Sequence, residues 1–169
     1  MPNAEKENTI IVTGGLGFIG SHFIELALEK GFNVVNIDKV TYASDPNIDG
    51  VFKRKYPGQY SFLKKDISDL KELPDAKFIV HFAAESHVDN SIRDGSVFIK
   101  SNVLGTQNLL NIVAQKNGST SSPQGKPEFI HISTDEVFGD REEGFFKEDD
   151  IMRPSNPYAA SKAAAEMIV

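Results

Sequence analysis

Two short segments near the end of the chain carry the side chains best suited to chemistry. The segment STDEVFG places the Thr134 hydroxyl beside the carboxyl groups of Asp135 and Glu136, directly after an apolar run. The segment PYAASK places Tyr158 and Lys162 four positions apart, on one face of a helix. A phenol beside a cation can take a proton from an alcohol, and two carboxyl groups supply an acid and a base for a second proton transfer. The combination predicts chemistry that oxidises an alcohol, eliminates water and reduces again.

A glycine-rich segment near the start of the chain predicts a dinucleotide site. Gly14, Gly17 and Gly20 follow the spacing Gly-x-x-Gly-x-x-Gly, between a short β-rich run and a helical pattern. Glycines at these places permit a tight turn, a close approach of the backbone to a pyrophosphate, and close packing of the helix on the strand. The N-terminus of the helix then offers free N–H groups to the phosphates. A glycine triplet alone is weak evidence, and the strand-turn-helix context strengthens it.

The residues that end the next predicted strand bear on the choice of cofactor. Asp38 lies 18 residues after Gly20. A carboxylate there accepts hydrogen bonds from the ribose hydroxyls of adenosine and repels a 2′-phosphate, which favours NAD over NADP. Lys39 weighs in the opposite direction, because a cation could tolerate a phosphate.

The expected chemistry makes demands on the ionisation of these groups. A tyrosine phenol has a reference pKa of about 10 and is a poor base at neutral pH. The Lys162 ammonium and a positive nicotinamide ring should lower the pKa of Tyr158, and Lys162 can also hold the nicotinamide ribose. Asp135 and Glu136 must hold opposite protonation states, and consecutive side chains of an extended segment point into different surroundings. Considered without the dinucleotide context, the favoured interpretations would be a buried Tyr158 ring with Lys162 on a solvated helix face, and a solvated turn at Asp135 and Glu136.

Apolar runs alternate with helical patterns, and this order predicts the fold class. Strands are predicted at 9–13, 32–37, 60–63, 78–83 and 129–133, and helices at 18–30, at 97–116 and from 158 onward. The alternation indicates an α/β fold of the Rossmann type, a doubly wound parallel sheet with right-handed crossovers. Surface loops are predicted at 118–126 and 140–157.

Composition excludes several other classes of function. The chain of 169 residues has a formal charge of -6 and no basic block, so nucleic acid and membrane surfaces are not expected partners. It has no cysteine, and its four histidines lack the spacing of a metal motif, so neither thiol chemistry nor a metal is expected. No apolar stretch approaches the roughly 18 residues needed to span a bilayer, and the polar N-terminus does not resemble a signal peptide. A cytoplasmic protein is therefore predicted.

Seven stretches of the sequence together carry a resemblance to a known family. They are TGGLGFIGSH, NIDKVTYAS, KKDISD, HFAAESHVDNSI, FIKSNVLGT, ISTDEVFGD and NPYAASKAAAE. The chain resembles the extended short-chain dehydrogenases/reductases, in their NAD-dependent epimerase/dehydratase family. Among these it is similar to the dTDP-glucose 4,6-dehydratases. The Thr-Asp-Glu triplet discriminates, because related epimerases and decarboxylases lack the Asp-Glu pair.

The resemblance implies a role for each catalytic candidate in converting dTDP-glucose to dTDP-4-keto-6-deoxyglucose. Tyr158 would take the proton of the sugar 4-hydroxyl as hydride leaves C4 for NAD, with Thr134 bonded to that hydroxyl and Lys162 beside the cofactor. The ketone acidifies the C5 proton, which Glu136 would remove, while Asp135 would protonate the departing 6-hydroxyl. Hydride would return from NADH to C6, so that the cofactor is recycled.

The same resemblance implies where cofactor and substrate are contacted. The implied NAD contacts are Gly14, Gly17, Phe18, Ile19, Gly20, Asp38, Lys39, Val40, Thr41, Asp66, Ile67, Phe82, Ala83, Ala84, Glu85, Ser86, Tyr158 and Lys162. The implied contacts with the nucleotide-diphosphate sugar are Ser86, Ser101 and Thr134. Ser101 stands where the family has threonine and keeps the hydroxyl. Phe138 replaces the usual tyrosine beside the triplet, where little effect is expected.

The resemblance also bears on the extent of the protein. Family members continue for about as long again, with the last strands of the sheet and the domain that grips the sugar nucleotide. Residues 1–169 are thus expected to be an incomplete NAD-binding Rossmann domain without the substrate domain, inactive as a fragment. A homodimer through the helices at 97–116 and 158–169 is implied.

Three interpretations stay open for function. The first is a nucleotide-sugar 4,6-dehydratase, the second a related nucleotide-sugar epimerase or decarboxylase, and the third a dinucleotide-binding module without turnover. The nucleotide of the substrate, dTDP or UDP, is not fixed by these residues.

Overall fold

Five short strands form one parallel sheet in the order β3-β2-β1-β4-β5. The computed structural model describes residues 8–118 and 127–169, so the loop predicted at 118–126 falls outside the described residues apart from its first position. The strands are β1 (Thr9–Thr13), β2 (Asn33–Asp38), β3 (Tyr60–Lys64), β4 (Phe78–His81) and β5 (Glu128–His131). All five predicted strands are confirmed. β4 and β5 end two residues earlier than predicted, because the chain there leaves the sheet to line a cleft.

Helices follow every strand except β3, which a 3₁₀ turn joins to β4. They are α1 (Phe18–Glu29), α2 (Asn47–Lys55), α3 (Val88–Arg93), α4 (Ser96–Phe98), α5 (Gly105–Gly118) and α6 (Pro157–Ile168). Short 3₁₀ turns lie at Ile67–Asp69 and Asp135–Phe138. The sequence did not predict α2 or α3. The loop predicted at 140–157 is confirmed up to Pro157, which is the first residue of α6.

The prediction of one continuous helix at 97–116 is wrong in one respect. A π-helical segment, Ile99–Leu104, lies between α4 and α5. The Thr106 hydroxyl donates to the Asn102 carbonyl oxygen at 2.6 Å and so competes for an acceptor of the helix ladder. Gly105 lies against Ile67, where a Cβ atom would stand 2.7 Å from the Ile67 Cδ1 atom. Packing and side-chain bonding thus deform the helix at this place.

The sheet is covered on both faces, as a doubly wound fold requires. Alternate residues of β1 face opposite cores, since successive side chains of a strand point to opposite sides. Ile10 and Val12 belong to one core with Ile24 of α1, and Ile11 belongs to the other with Leu109 of α5. None of the helices in the described part of the chain is long and apolar enough to cross a membrane.

Candidate active site

A cleft of about 350 Å³ opens at the carboxyl ends of the parallel strands. β1 lies at the centre of the sheet, where the strand order reverses and where ligands bind in open α/β sheets. The lining residues are Gly14, Gly17, Phe18, Ile19, Gly20, Ile37, Asp38, Lys39, Thr41, Ala43, Ser44, Lys65, Ile67, Phe82, Ala83, Ala84, Ser86, Ser101, Ile132, Ser133, Tyr158 and Lys162. The cleft therefore joins the glycine turn at one end to the Tyr-Lys pair at the other.

The glycine turn between β1 and α1 leaves no room for side chains. Gly14 has a φ of +73°, and a Cβ atom there would stand 2.6 Å from the backbone nitrogen of Ala83. A Cβ atom on Gly20 would meet the carbonyl oxygen of Gly14. Gly17 precedes α1 without a capping side chain, so the first N–H groups of the helix are open toward the cleft. The turn can thus approach a phosphate group closely.

Gly15 carries a constraint that the three-glycine motif does not include. Its N–H donates to Asn36 Oδ1 at 3.1 Å, and a Cβ atom on it would meet Asn36 and Ile24. Asn36 is fully buried in β2 and donates in turn to the Tyr60 hydroxyl at 3.0 Å. Because Asn36 is 21 positions away, the sequence alone gave no signal of this contact.

Asp38, at the end of β2, is held in place but keeps an acceptor position. Its Oδ1 accepts from the Val40 N–H at 2.7 Å and from Ser44 Oγ at 3.1 Å. Its Oδ2 accepts only from the Leu16 N–H, at 3.0 Å, among the bonds that the structure describes. A carboxylate oxygen can accept two hydrogen bonds, so Oδ2 can still receive one from a ligand hydroxyl.

The segment after Asp38 has an uncommon backbone. Val40 has a φ of +62°, in the left-handed region that a β-branched residue rarely adopts. The bond from its N–H to Asp38 and the bond from the Thr41 N–H to Ser44 Oγ, at 3.2 Å, hold this geometry. Backbone outliers of this kind cost about 1–3 kcal/mol and cluster at ligand sites. Thr41 lines the cleft and Val40 does not.

Tyr158 and Lys162 lie in the first turns of α6, and both line the cleft. Asn156 caps the helix by accepting the Ala159 N–H at 2.8 Å, and proline follows it at the first helical position. Tyr158 is 8% exposed and Lys162 is 4% exposed. The Tyr158 ring packs edge-on against Phe98, with 6.3 Å between ring centres. The helix therefore delivers both groups to the cleft in fixed positions.

The predicted effect of Lys162 on Tyr158 is wrong for the arrangement found. Burial raises the pKa of the Tyr158 phenol, the hydrogen bond with Thr134 opposes this, and the nearby Glu136 and Asp135 raise the pKa further. Lys162 Nζ instead donates to the carbonyl oxygen of Ile132 at 2.6 Å. Burial lowers the pKa of Lys162 to about 8, with Glu166 acting in the opposite direction. The ammonium thus faces the end of β5.

The triplet Thr134–Glu136 borders the cleft without lining it. Thr134 caps the 3₁₀ turn that follows, and its Oγ1 accepts the Glu136 N–H at 3.3 Å. The prediction of an extended segment is therefore wrong for Asp135 and Glu136. Asp135 is exposed, whereas Glu136 is half-buried and accepts from Asn156 Nδ2 at 3.2 Å. The two carboxyl groups do have different surroundings, as predicted, but the cause is the 3₁₀ turn and not an extended segment.

Most of the predicted site residues line the cleft, and a few lie outside its lining. Six predicted residues do not line the cleft, namely Val40, Asp66, Glu85, Thr134, Asp135 and Glu136. Asp66 and Glu85 lie behind Lys39 and form ion pairs with its ammonium. Ser86 and Ser101 line the cleft as predicted contacts. In residues 8–118 and 127–169, no group of three histidine, aspartate or glutamate side chains is placed to hold a metal ion.

A buried polar chain, which the sequence did not reveal, runs beneath the cleft. The Ala83 N–H donates to Thr13 Oγ1 at 3.3 Å, and Thr13 Oγ1 lies 2.6 Å from His81 Nδ1. His81 Nε2 lies 2.9 Å from Thr106 Oγ1, whose proton goes to the Asn102 carbonyl oxygen. This order assigns the proton to Nε2 and makes Nδ1 the acceptor. Burial, aided by His131 and Lys162, lowers the pKa of His81 well below its usual value, so the ring is neutral.

Asn102 joins the segment after β4 to α6. Its Oδ1 accepts the Glu85 N–H at 2.8 Å, and its Nδ2 donates to the Glu85 carbonyl oxygen at 2.9 Å. Nδ2 also donates to Ser161 Oγ at 2.8 Å. An asparagine inside a helical pattern gave no hint of this role, because its partners are 17 and 59 positions away.

Comparisons with known proteins show the family of the chain. The family model described as GDP-mannose 4,6 dehydratase matches residues 11–169. The low-salt glycan biosynthesis protein Agl12 of Haloferax volcanii is 42% identical over 95% of this chain and 50% of its own length. A dTDP-glucose 4,6-dehydratase of Streptomyces griseus is 41% identical over 94% of this chain and 48% of its own length.

A solved structure gives the same result. DesIV, a dTDP-glucose 4,6-dehydratase of Streptomyces venezuelae crystallised with NAD, is 37% identical with a TM-score of 0.84. The match covers 95% of this chain and 50% of that one. The chain therefore spans about half the length of the relatives that it matches. The resemblance to dTDP-glucose 4,6-dehydratases is confirmed, and the chain belongs to the GDP-mannose 4,6 dehydratase family.

Proposed function

We propose that this chain supplies the cofactor site and the catalytic side chains of an NAD-dependent nucleotide-sugar 4,6-dehydratase. The reaction is the conversion of dTDP-glucose to dTDP-4-keto-6-deoxyglucose. One observation carries the proposal. The cleft has a glycine turn and Asp38 at one end and Tyr158 with Lys162 at the other, and the Thr134 triplet borders it.

NAD fits the residues of this cleft. The glycine turn excludes side chains where a pyrophosphate must approach, and Asp38 Oδ2 keeps an acceptor for a ribose hydroxyl. When bound, NAD supplies an acceptor for the hydride of C4 and gives the hydride back to C6. The related DesIV was solved with NAD, which supports the same cofactor here.

In the oxidation step, the chain moves one proton. Tyr158 Oη receives the proton of the sugar 4-hydroxyl as the C4–H bond breaks. Thr134 Oγ1 hydrogen-bonds to the same sugar oxygen and to Tyr158, so it aligns the two. Because burial raises the pKa of Tyr158, the proton acceptor must gain its basicity from the bound ligands.

In the elimination step, the two carboxyl groups act on neighbouring carbons. The C4 ketone acidifies the C5 proton, which passes to the Glu136 carboxylate. Asp135 gives its proton to the 6-oxygen, and the C6–O bond breaks to release water. The proton on Glu136 then returns to C5 as C6 is reduced. The net change is the loss of one water, and the proton left on Tyr158 balances the one that Asp135 gave up.

Product analysis with isotopes tests the proposal. Substrate deuterated at C4 should give a product that has lost one water and carries the deuterium at C6. Glu136→Gln should reduce turnover by about 10²-fold or more, the scale of a lost general base. Full turnover by Glu136→Gln would refute the assigned role. The assay uses this chain and the longest natural product of its gene, with dTDP-glucose and UDP-glucose compared.

Two other functions are distinguished by the same assay. A dinucleotide-binding module would bind NAD without forming product. An epimerase would leave the product mass unchanged, and a decarboxylase would release carbon dioxide from a uronic acid. The Asp135–Glu136 pair weighs against an epimerase and against a decarboxylase.

Three further predictions belong to this proposal. A homodimer through the segments 97–116 and 158–169 is supported by the exposed apolar side chains of Val97, Leu104 and Met167. The assignment of residues 1–169 to an incomplete NAD-binding domain, and the cytoplasmic location, stay predictions of the sequence.

A further inference from the structure

The cation beside Asp38 already has partners within the chain. Lys39 Nζ lies 3.2 Å from Glu85 Oε1 and 4.0 Å from Asp66 Oδ2. It also donates to Ser101 Oγ at 3.4 Å. Two carboxylates and one hydroxyl therefore surround an ammonium that the sequence alone left free to accept a phosphate.

Glu85 is fixed more firmly than an ordinary surface carboxylate. It is 7% exposed, and Asn102 bonds both its N–H and its carbonyl oxygen. A buried carboxylate that loses its cation is strongly destabilised, so the ion pair with Lys39 is favoured over separation. The pair also crosses the centre of the sheet, because Lys39 follows β2 and Glu85 follows β4, with β1 between them.

Asp66 adds to the hold on Lys39. Burial raises the pKa of Asp66, but the bonds from Ser68 and the charges of Lys39 and Lys100 outweigh this and lower it. The carboxylate is therefore ionised at neutral pH and attracts the ammonium. Lys65 also lines the cleft. The contribution of Lys65 to phosphate binding stays the same in variants that change only Glu85 and Lys39.

We propose that Glu85 is a specificity-determining residue, which holds the Lys39 ammonium away from a 2′-phosphate and so reinforces the preference of Asp38 for NAD. This inference rests on the proposed function, since it requires a dinucleotide in the cleft. Asp38 repels the phosphate, and Glu85 holds a cation that could offset that repulsion. The two carboxylates act on the same group of the cofactor from different sides.

Equilibrium titration of the protein with NADH and NADPH tests this role. Glu85→Gln removes the nearer of the two carboxylates that hold Lys39, so the affinity for NADPH relative to that for NADH should rise about tenfold, the scale of one charged contact with phosphate. The double variant Lys39→Gln/Glu85→Gln, compared with Lys39→Gln alone, should lose the gain. Glu128→Gln is the matched control, because Glu128 is exposed at the amino end of β5, away from the cleft.

The outcomes separate this inference from the proposed function. If the unaltered protein binds NADH and Glu85→Gln leaves the NADH to NADPH ratio unchanged, the role of Glu85 is refuted and the dinucleotide site stands. If the gain persists in the double variant, Lys39 is not its source and the inference also fails. If the unaltered protein binds neither nucleotide, both proposals fail. Where a thermal transition shows that Glu85→Gln does not fold, Glu85→Asp lengthens the ion pair and should shift the ratio in the same direction.

Discussion

Replacing Gly14 with alanine should damage the cofactor turn far more than the same change at Gly31. Both glycines have a left-handed backbone, with φ of +73° and +83°. A Cβ atom on Gly14 would stand 2.6 Å from the Ala83 nitrogen and 2.7 Å from its Cα atom, whereas no described atom lies within 4 Å of a Cβ atom on Gly31. Both variants therefore pay for alanine in a left-handed backbone, and only Gly14→Ala also brings a Cβ atom against the backbone of Ala83.

The magnitudes follow from these two terms. A left-handed backbone costs alanine about 1–2 kcal/mol, so Gly31→Ala should lower the free energy of unfolding by about that amount. Gly14→Ala adds an overpacking term of about 1–3 kcal/mol, because backbone atoms of Ala83 must move. Its total cost should be about 2–5 kcal/mol. Ala83 also lines the cleft, so the same displacement should weaken NAD binding.

Urea unfolding and NAD titration measure the two consequences separately. The midpoint of unfolding should fall further for Gly14→Ala at an unchanged m-value, and NAD affinity should fall for Gly14→Ala but not for Gly31→Ala. Equal losses of stability in the two variants would show that Ala83 yields without cost. Unchanged NAD affinity in a folded Gly14→Ala protein would refute the place of the turn at the cofactor.

Other outcomes follow from buried polar groups. Thr106→Val should lower the free energy of unfolding by about 2 kcal/mol, because it removes the acceptor of the buried His81 Nε2–H, and an equal loss in the control Thr41→Val would contradict this. Burial lowers the pKa of Lys162 from 10.5 to about 8, so the unfolded state binds more protons between these values. The free energy of unfolding, relative to Lys162→Met, should therefore rise by about 3 kcal/mol as the pH increases through this range; a flat difference would refute it. Burial and Lys162 lower the pKa of His131 from 6.5 to about 4, so stability should fall as the pH drops between these values, and less so in His131→Gln; equal acid losses in the two proteins would contradict this.

The centre of the sheet was predictable because β1 and β4 are apolar on both faces. Continuous runs such as Phe78–His81 have few alternatives in a chain that alternates them with helical patterns. α2 escaped prediction because its apolar face is short: in Asn47–Lys55 only Phe52 is buried, and Ile48 one turn earlier is partly buried against the same core. The π-helical segment escaped because it depends on a contact between Gly105 and Ile67, which are 38 positions apart. Both α2 and the π-helical segment therefore depend on tertiary packing.

The two ends of the cleft were predictable for a different reason. A pyrophosphate turn and a Tyr-Lys pair each need residue types at fixed short spacings, so a local pattern reveals them. The bonds that position these groups are long-range, as for Asn102 with Glu85 and Ser161. Neither asparagine nor serine has a spacing that would indicate such partners. The sequence therefore predicts the residues proposed for cofactor binding and catalysis, and it does not predict the residues that position them.

The triplet and the Tyr-Lys helix form one structural unit, and Asn156 is the reason. Its Oδ1 caps the helix that carries Tyr158, while its Nδ2 donates to Glu136 Oε2. Thr134 bonds to the backbone of Glu136 and to the Tyr158 side chain. A 3₁₀ turn has about three residues per turn, so Asp135 points about a third of a turn away from Glu136 and remains exposed. The Glu136 carboxyl is thereby held by the residue that caps the Tyr158 helix, whereas the Asp135 carboxyl accepts from Thr134 Oγ1 at 3.4 Å, so each carboxyl group is positioned by a different neighbour of the phenol.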